Sequence, residues 1–499
     1  MSEAATGIWT PESVRTLDRT ATSAFGISGY ELMGRAAEAT CAAAGTRWPD
    51  ARRWLVLCGA GNNGGDGYVI ARLARRAGRE VQVCAFTDPG QLTGDAATAW
   101  RDFAAAGGAL VPFTPGLVAA SDVVVDAILG TGLTRPVTGD IRAAIEAVNA
   151  AQRPVVAVDI PSGLDATTGM PSGVAIRADL TVTFVGRKLG LYLGEGPDHA
   201  GVVEFSDLGI PSAVVERAGL AGQAPLWLFT AAELPRLLPR RPAIAHKGSF
   251  GHVLVVGGNH GMSGAVRLAG EAALRAGAGL VSVATRPAHA ALLPLVRPEL
   301  MGHGIGDAAD LAPLLARATV VAVGPGLGQD DWARSLLAAV LASRLPLVVD
   351  ADALNLLPDA SSRRDDWILT PHPGEAARLL GVTSAGIQRD RLGALAALRE
   401  RWGGTIILKG RGTLVGGPAG RDWLIPTGNP GMATAGMGDV LTGVTAALLA
   451  QAGRPLPAAE VAAAAAFVHG AAGDAAALGG QRGILATDLI GQLRPWLNP

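Results

Sequence analysis

The stretch "GAGNNGGDG", residues 59–67, follows the apolar run "RWLVLC" and precedes the helical period of "YVIARLARRAG". Gly59, Gly61 and Gly64 stand at the G-x-G-x-x-G spacing of a dinucleotide-binding turn. Glycines let the backbone approach a ligand, and a helix start offers free N–H groups and the positive end of its dipole. Strand, turn and helix in this order open a parallel α/β sheet. The spacing alone is weak in a chain with 68 glycines. The acid that would meet an NAD ribose belongs about 20 residues on, and the candidate, Asp88, lies further away. Asn62, Asn63 and Asp66 are polar residues that a plain fingerprint does not need.

The pattern extends in both directions. Upstream, "TPESVRTLDRTATSAFG" pairs a Thr10 cap with Pro11 at the first helical position, and a second helix runs to about Thr46. Downstream, "EVQVCAF", "SDVVVDAIL", "PVVAVDI" and "ADLTVTFV" read as strands separated by helices near 94–106 and 140–151. The pattern weakens over "PSAVVERAGLAGQAPLW" and resumes near residue 229. There "GHVLVVGG", "GLVSVAT", "TVVAVGPG", "LPLVVDAD", "DWILTP" and "GTIILKG" read as strands, and "TLVGGP" with "RDWLIP" as a hairpin. The expected architecture is α/β with two three-layer αβα domains. The first, Rossmann-like, spans 1–215; 216–228 is a linker; the second spans 229–499.

Net charge is −1, without long blocks of one sign, so no nucleic-acid surface is expected. The N-terminus lacks a basic n-region and an apolar h-region, and the most apolar helical stretches, such as "VLTGVTAALLAQAG", fall short of a membrane span. No membrane partner is expected, and the chain reads as cytoplasmic. Cys58 and Cys84 lie in strand-like runs and read as buried free thiols. Of 42 basic residues only Lys188, Lys247 and Lys409 are lysines, and each lies in or beside a motif loop. Lysine persists where a compact point charge is needed.

Ligands of open α/β sheets bind beyond the carboxyl ends of the strands. Three neighbouring ends in the first domain present Asn63, Asp126 and Ser162. These are hard oxygen donors with little total charge, suited to a weakly held monovalent cation rather than zinc; capping of turns is the other reading. Asp159, in "VDIPSGLDATTG", is either a site carboxylate or a turn cap. Lys188 is either a second ionisable group at the same rim or an exposed lysine.

In the second domain, "TGNPGMATAGMGDVLTGVTAALLA" places Gly436 and Gly438 before Asp439 at the start of an apolar helix. Glycine amides there form an anion hole, and the carboxylate can take a proton from a hydroxyl attacking a phosphoryl group. A glycine turn with an aspartate cap is the structural alternative. "LKGRGT", residues 408–413, offers Lys409 and a phosphate-holding turn. "TPHPGE", residues 370–375, offers His372 and Glu375, whose carboxylate could hold a water on Mg²⁺. "GPGLG", residues 324–328, allows close backbone approach. No Walker A sequence is present, which disfavours a P-loop kinase.

The glycine-flanked Asp439 resembles the hallmark of the ribokinase-like superfamily. With the first domain included, the resemblance sharpens. "GNNGGDGYVIARLA", "LGTGL" and "VDIPSGLDATTG" resemble NAD(P)H-hydrate epimerase domains. "HKGSFGHVLVVGG", "TPHPGE", "LKGRGT" and "NPGMATAGMGDVLTG" resemble ADP/ATP-dependent NAD(P)H-hydrate dehydratase domains. Their order matches the bifunctional nicotinamide nucleotide repair enzymes over nearly the whole chain.

The resemblance implies that the first domain interconverts the R and S hydrates of NADH and NADPH, and that the second dehydrates the S form using ADP or ATP with Mg²⁺. It implies K⁺ on Asn63, Asp126 and Ser162. Asn62, Asn63, Gly64, Gly65, Asp66, Gly130, Thr131, Gly132, Leu133, Thr134, Arg135, Pro136 and Asp159 would contact the hydrate in the first site. Asp159 would transfer the proton, with Lys188 assisting. In the second site Gly326, Gly328, His372 and Asp439 would face the hydrate, with Asp439 as base. Lys409, Gly410, Arg411, Gly412 and Thr413 would hold the nucleotide, as would Asn429, Pro430, Gly431, Met432, Ala433, Thr434, Ala435, Gly436, Met437 and Gly438. A homo-oligomer is expected. Met437 stands where the superfamily often has a smaller residue, and Arg187 and Leu189 flank Lys188 where the family often carries proline. Three rivals are weighed, one of them a non-catalytic nucleotide-binding regulator, for which Asp159 and Asp439 are unneeded. A ribokinase-like small-molecule kinase fused to a nucleotide-binding domain leaves the first domain without a task. An NAD-dependent oxidoreductase leaves "NPGMATAGMGD" unexplained.

Overall fold

Thr10 starts its helix as its chemistry requires: the helix runs Pro11–Phe25, and Thr10 Oγ1 accepts from the Ser13 amide at 3.1 Å. The computed structural model describes residues 3–360, 362–451 and 456–499. Two compact units divide the chain between Trp227 and Leu228. The span 216–228, expected as a linker, holds the end of the helix Val214–Arg217 and the strand Leu226–Leu228.

The N-terminal unit is built on a parallel sheet. Its strands lie in the order Glu80–Ala85, Arg53–Cys58, Val123–Ala127, Val155–Val158, Leu180–Phe184 and Val202–Ser206. Both faces are covered, as near-continuous apolar strands require. Leu55, Leu57, Val124 and Val155 pack with Ile145 and Val148 of the helix Gly139–Ala151. On the opposite face Val56 meets the helix Asn62–Arg76, where a Cβ on Gly67 would lie 3.4 Å from it. A short strand that the sequence did not reveal, Gly7–Trp9, pairs in parallel with Arg187–Lys188. Cys58 and Cys84 are buried, Cys41 is partly so, and all three are free thiols.

The C-terminal unit has parallel strands in the order Met301–Gly304, Leu280–Thr285, His252–Val256, Val320–Val323, Leu347–Val349, Trp367–Leu369 and Thr405–Leu408. Thr413–Gly416 and Trp423–Ile425 extend it antiparallel, the hairpin read from the sequence. The helix Met437–Gln451 packs on Ser263–Arg275 and on Ala458–Ala476. One correction concerns apolar length. Among the described residues Ala458–Gly479 is long and apolar enough to cross a membrane, but 67% of its most apolar window is buried within the fold.

Candidate active sites

The glycines of the opening turn divide the labour. A Cβ on Gly59 would lie 1.8 Å from the Ile128 carbonyl oxygen, and one on Gly64 2.0 Å from that of Gly59. These two are required by backbone packing. A Cβ on Gly61 would meet nothing within 4 Å. Gly61 caps the helix Asn62–Arg76 without a side-chain acceptor, so the first amides of that helix stay available to an anion. Asp88 is occupied elsewhere, accepting from the Gly90 amide at 2.9 Å.

These elements wall a cleft of about 1190 Å³. Of the residues expected to meet substrate, Asn62, Asn63, Asp66, the run 130–135 and Asp159 line it; Gly64, Gly65 and Pro136 are not part of its wall. Gly65 packs against Met33, which does line it. Just beneath lie Asp126 and Ser162, both fully buried. The Ser162 amide donates to Asp126 Oδ2 at 2.7 Å, and its hydroxyl donates to Asp126 Oδ1. The Leu129 amide donates to Ser162 Oγ at 2.8 Å, and Asn63 Nδ2 to the Leu129 carbonyl at 3.1 Å. The turn-holding reading of these residues is therefore real. One atom is left over: Asn63 Oδ1 is buried without a hydrogen-bond partner. An orphaned carbonyl oxygen is costly unless something positive meets it. Burial pushes the Asp126 carboxyl up to about 6 despite its bonds from Ser162. Both observations fit a cation held among these oxygens.

Asp159 follows its strand with a φ of 67°, a left-handed conformation that costs a non-glycine residue energy and is often found at functional sites. Its Oδ1 accepts from the Phe184 amide at 3.2 Å, from Thr183 Oγ1 at 3.3 Å and from Lys188 Nζ. Lys188 is 1% exposed, so the exposed-lysine reading is ruled out. It also donates to the Phe184 carbonyl at 2.9 Å. Sequence reasoning missed Asp18. It lines the cleft from the helix Pro11–Phe25 together with Arg15, Arg19 and Thr22. Its signal was a run of polar residues at helical spacing, which reads as an ordinary solvated face.

The C-terminal site gathers around Lys409. Lys409 Nζ donates to Asp350 Oδ1 at 2.8 Å and lies 3.7 Å from Glu375 Oε2. Thr442 Oγ1 donates to Asp350 Oδ2 at 2.7 Å. Burial alone would raise the Asp350 carboxyl, but the Lys409 charge and these hydrogen bonds hold it below its ordinary value. Burial likewise opposes the Lys409 charge, and Asp350 and Glu375 outweigh it, so its pKa is raised. Asp439 sits in the first turn of Met437–Gln451, after Gly436 with its φ of 88°. Burial, then the Asp350 charge, push Asp439 up to about 7, while Lys409 pulls the other way. Asp350 lies within the run "LPLVVDAD", directly after the strand Leu347–Val349, and sequence reasoning missed it.

The loops expected to hold a nucleotide are brought together. Arg411 donates to the Gly428 carbonyl, and Asp474 accepts from the Gly428 amide and from Asn429 Nδ2, both at 2.9 Å. Ala433, Thr434 and Ala435 are exposed. A second missed residue, the buried Arg391, donates to the carbonyls of Leu408 and Gly412 at 3.1 and 3.2 Å and so pins the 409–412 turn from below. Gly328 donates to Asp352 Oδ2 at 2.8 Å, and the Asn259 amide donates to the Gly326 carbonyl at 2.7 Å. His372 caps the helix Pro373–Leu380: its Nδ1 accepts from Gly374 and Glu375 at 2.9 and 3.3 Å, while its side chain stays half exposed. Glu375 closes the same box, with Oε2 accepting from the His372 amide at 2.7 Å. Lys247 is exposed.

A parallel-sheet unit with a glycine-rich crossover, followed by a unit with a glycine-flanked aspartate at a helix start, defines a fused pair of α/β enzymes of which the second is ribokinase-like. A ribokinase-like superfamily protein of Enterococcus faecalis matches with a TM-score of 0.51 and 30% identity, over 55% of this chain and 95% of its own. Residues 253–495 match the family described as NAD(P)H-hydrate dehydratase, and residues 29–190 that described as YjeF-related protein N-terminus. The bifunctional NAD(P)H-hydrate repair enzyme Nnr of Coxiella burnetii is 48% identical over 501 residues, 99% of this chain and 100% of the relative. That of Escherichia coli is 46% identical over 495 residues, 99% of this chain and 94% of the relative. The chain belongs to the family of bifunctional NAD(P)H-hydrate repair enzymes.

Proposed function

We propose that the N-terminal cleft epimerises the R and S hydrates of NADH and NADPH, and that the C-terminal site dehydrates the S hydrate at the expense of ADP or ATP. The observation that carries this reading is Asp439, a carboxylate poised near 7 at a glycine-flanked helix start beside Lys409. A general base is most effective when its pKa lies near the working pH. Asp439 takes the proton of the hydrate's hydroxyl as that oxygen attacks the terminal phosphorus of the nucleotide. AMP or ADP leaves. The phosphorylated carbon then loses phosphate, a far better leaving group than hydroxide, the neighbouring ring carbon gives up a proton, and NAD(P)H is restored.

The 409–413 turn and the segment 429–438 hold the nucleotide, and Gly326, Gly328 and His372 face the hydrate. Glu375 would hold a water on Mg²⁺, which would supply positive charge to the phosphoryl group being transferred. In the N-terminal cleft the segments 62–66 and 130–136 hold the dinucleotide hydrate, and Asp159, oriented by Lys188, carries the proton. Asn63, Asp126 and Ser162 would hold K⁺, which would supply a fixed positive charge beside the turn at Leu129. The chain acts in the cytoplasm, and as a homo-oligomer; exposed Leu292 and Leu295 on the C-terminal unit support association. The test is to incubate the chain with mixed NADH hydrates and ADP or ATP and follow the return of NADH absorbance. Recovery of both epimers is expected. A chain that phosphorylates another small hydroxylated molecule and recovers neither epimer is instead the fused kinase.

A further inference from the structure

Four carboxylates and one lysine line the N-terminal cleft: Asp18, Asp66, Asp95, Asp159 and Lys188. Asp95 sits in the first turn of the helix Gly94–Ala105, against Gly29. Their hydrogen bonding is unequal. Asp159 Oδ1 accepts from Lys188, Thr183 and the Phe184 amide, so this carboxylate oxygen is already committed to three donors. The carboxylates of Asp18 and Asp66 have no hydrogen-bond donor among the described residues. Asp18 belongs to a different element, the helix Pro11–Phe25, and lies near enough to feel the charges of both Asp159 and Lys188.

Epimerising a carbon that bears a hydroxyl and a ring nitrogen by exchange of that hydroxyl takes two proton transfers, one on each face. One protonates the departing hydroxyl as the C–O bond breaks and the nitrogen lone pair forms the C=N bond. The other takes a proton from the water that adds to the opposite face. A single carboxylate with committed donors serves one face well. We propose that Asp18 is the second proton carrier of the epimerase cleft, acting on the face of the hydrate that Asp159 does not serve.

The step balances. Protonated Asp18 gives its proton to the leaving hydroxyl and water departs. A new water forms the C–O bond on the other face, and its proton goes to Asp159. The reverse conversion exchanges the two roles, and the proton returns through solvent. The inference rests on the epimerase reading of the cleft. Burial, with help from Asp159 and against Lys188, pushes Asp18 up to about 6, so both its forms are available near neutrality. Burial pushes Asp66 well above the usual range, with Asp159 and Asp18 adding to it and Lys188 opposing it.

The test uses the full chain without ADP, with the R and S hydrates separated by chromatography. Asp18→Asn is expected to lower kcat of epimerisation in both directions by about 100-fold or more while KM changes by less than about threefold. Asp18→Glu should restore part of the rate. Turnover in ¹⁸O-labelled water should place label in the epimerised product. Asp18→Asn with more than about a third of the wild-type kcat overturns the proposal. So does a variant that loses KM and thermal stability together, which makes Asp18 a wall residue, and so does a product free of label. A wild-type chain that fails to accelerate epimerisation removes the epimerase reading itself; a competent wild type with an indifferent Asp18 removes only the proposal.

Discussion

Each unit holds a lysine against an aspartate, buried in the first and partly buried in the second, and the two pairs bear differently on the carboxylate proposed for chemistry. Lys188 grips Asp159, the proposed proton carrier itself. Lys409 grips Asp350, a neighbour of the proposed base. In the first unit the ion pair touches the reacting carboxylate directly. In the second it stands one residue away, and Asp439 is left with burial and the Asp350 charge, which push it up to about 7. The same pairing of lysine with aspartate thus holds one reacting carboxylate in place and leaves the other beside a charged neighbour. Position relative to the reacting group decides the outcome, as the competition between desolvation and nearby charge requires.

The comparison breaks most sharply at Asp439. Asp439→Asn should lower S-hydrate dehydration by about 1000-fold, read as NADH recovery, and leave R/S interconversion intact. A smaller loss would return Asp439 to the role of a helix cap. Lys188→Met should lower epimerisation by about 100-fold through a misplaced Asp159. Because it strands a partly buried carboxylate, it should also destabilise the N-terminal unit by about 3 kcal/mol in denaturant titration. Asn63→Leu removes the orphaned oxygen. Epimerisation should fall about tenfold and lose its response to added K⁺, while dehydration is unchanged; a variant still sensitive to K⁺ would move the cation elsewhere. The smallest effect sharpens the comparison instead. Dehydration should rise with pH through about 7, because the base works only when ionised. Asp350→Asn removes the like charge and frees Lys409, so that limb should move about one unit towards acid. A limb that stays put would assign it to another group.

Much of this was legible because parallel strands buried on both faces write themselves as apolar runs, with glycines and acids at their ends. The pairs Val123–Ala127 with Asp126 and Val155–Val158 with Asp159 are of this kind. Met301–Gly304, a partly exposed edge strand, carries no β-branched residue and gave no signal. Gly7–Trp9 is too short to show a period. Asp18 was hidden for another reason. Its helix face is polar, and only the cleft opposite makes it a wall. Scarcity of lysine drew attention to Lys188 and Lys409, both held in ion pairs, and to Lys247, which lies on the surface. Arg391 could not be found among so many arginines, since nothing in its spacing announces a guanidinium beneath a turn.

The three thiols carry a consequence for the bench. Cys41, Cys58 and Cys84 all belong to the N-terminal unit. Burial pushes Cys41 up to about 12, Cys84 up to about 11 and Cys58 well above its ordinary value. Alkylating reagents attack the thiolate, so the folded chain offers them almost nothing. The rate at which an alkylating reagent is consumed therefore times the opening of one half of the molecule, and the other half is silent in the same tube.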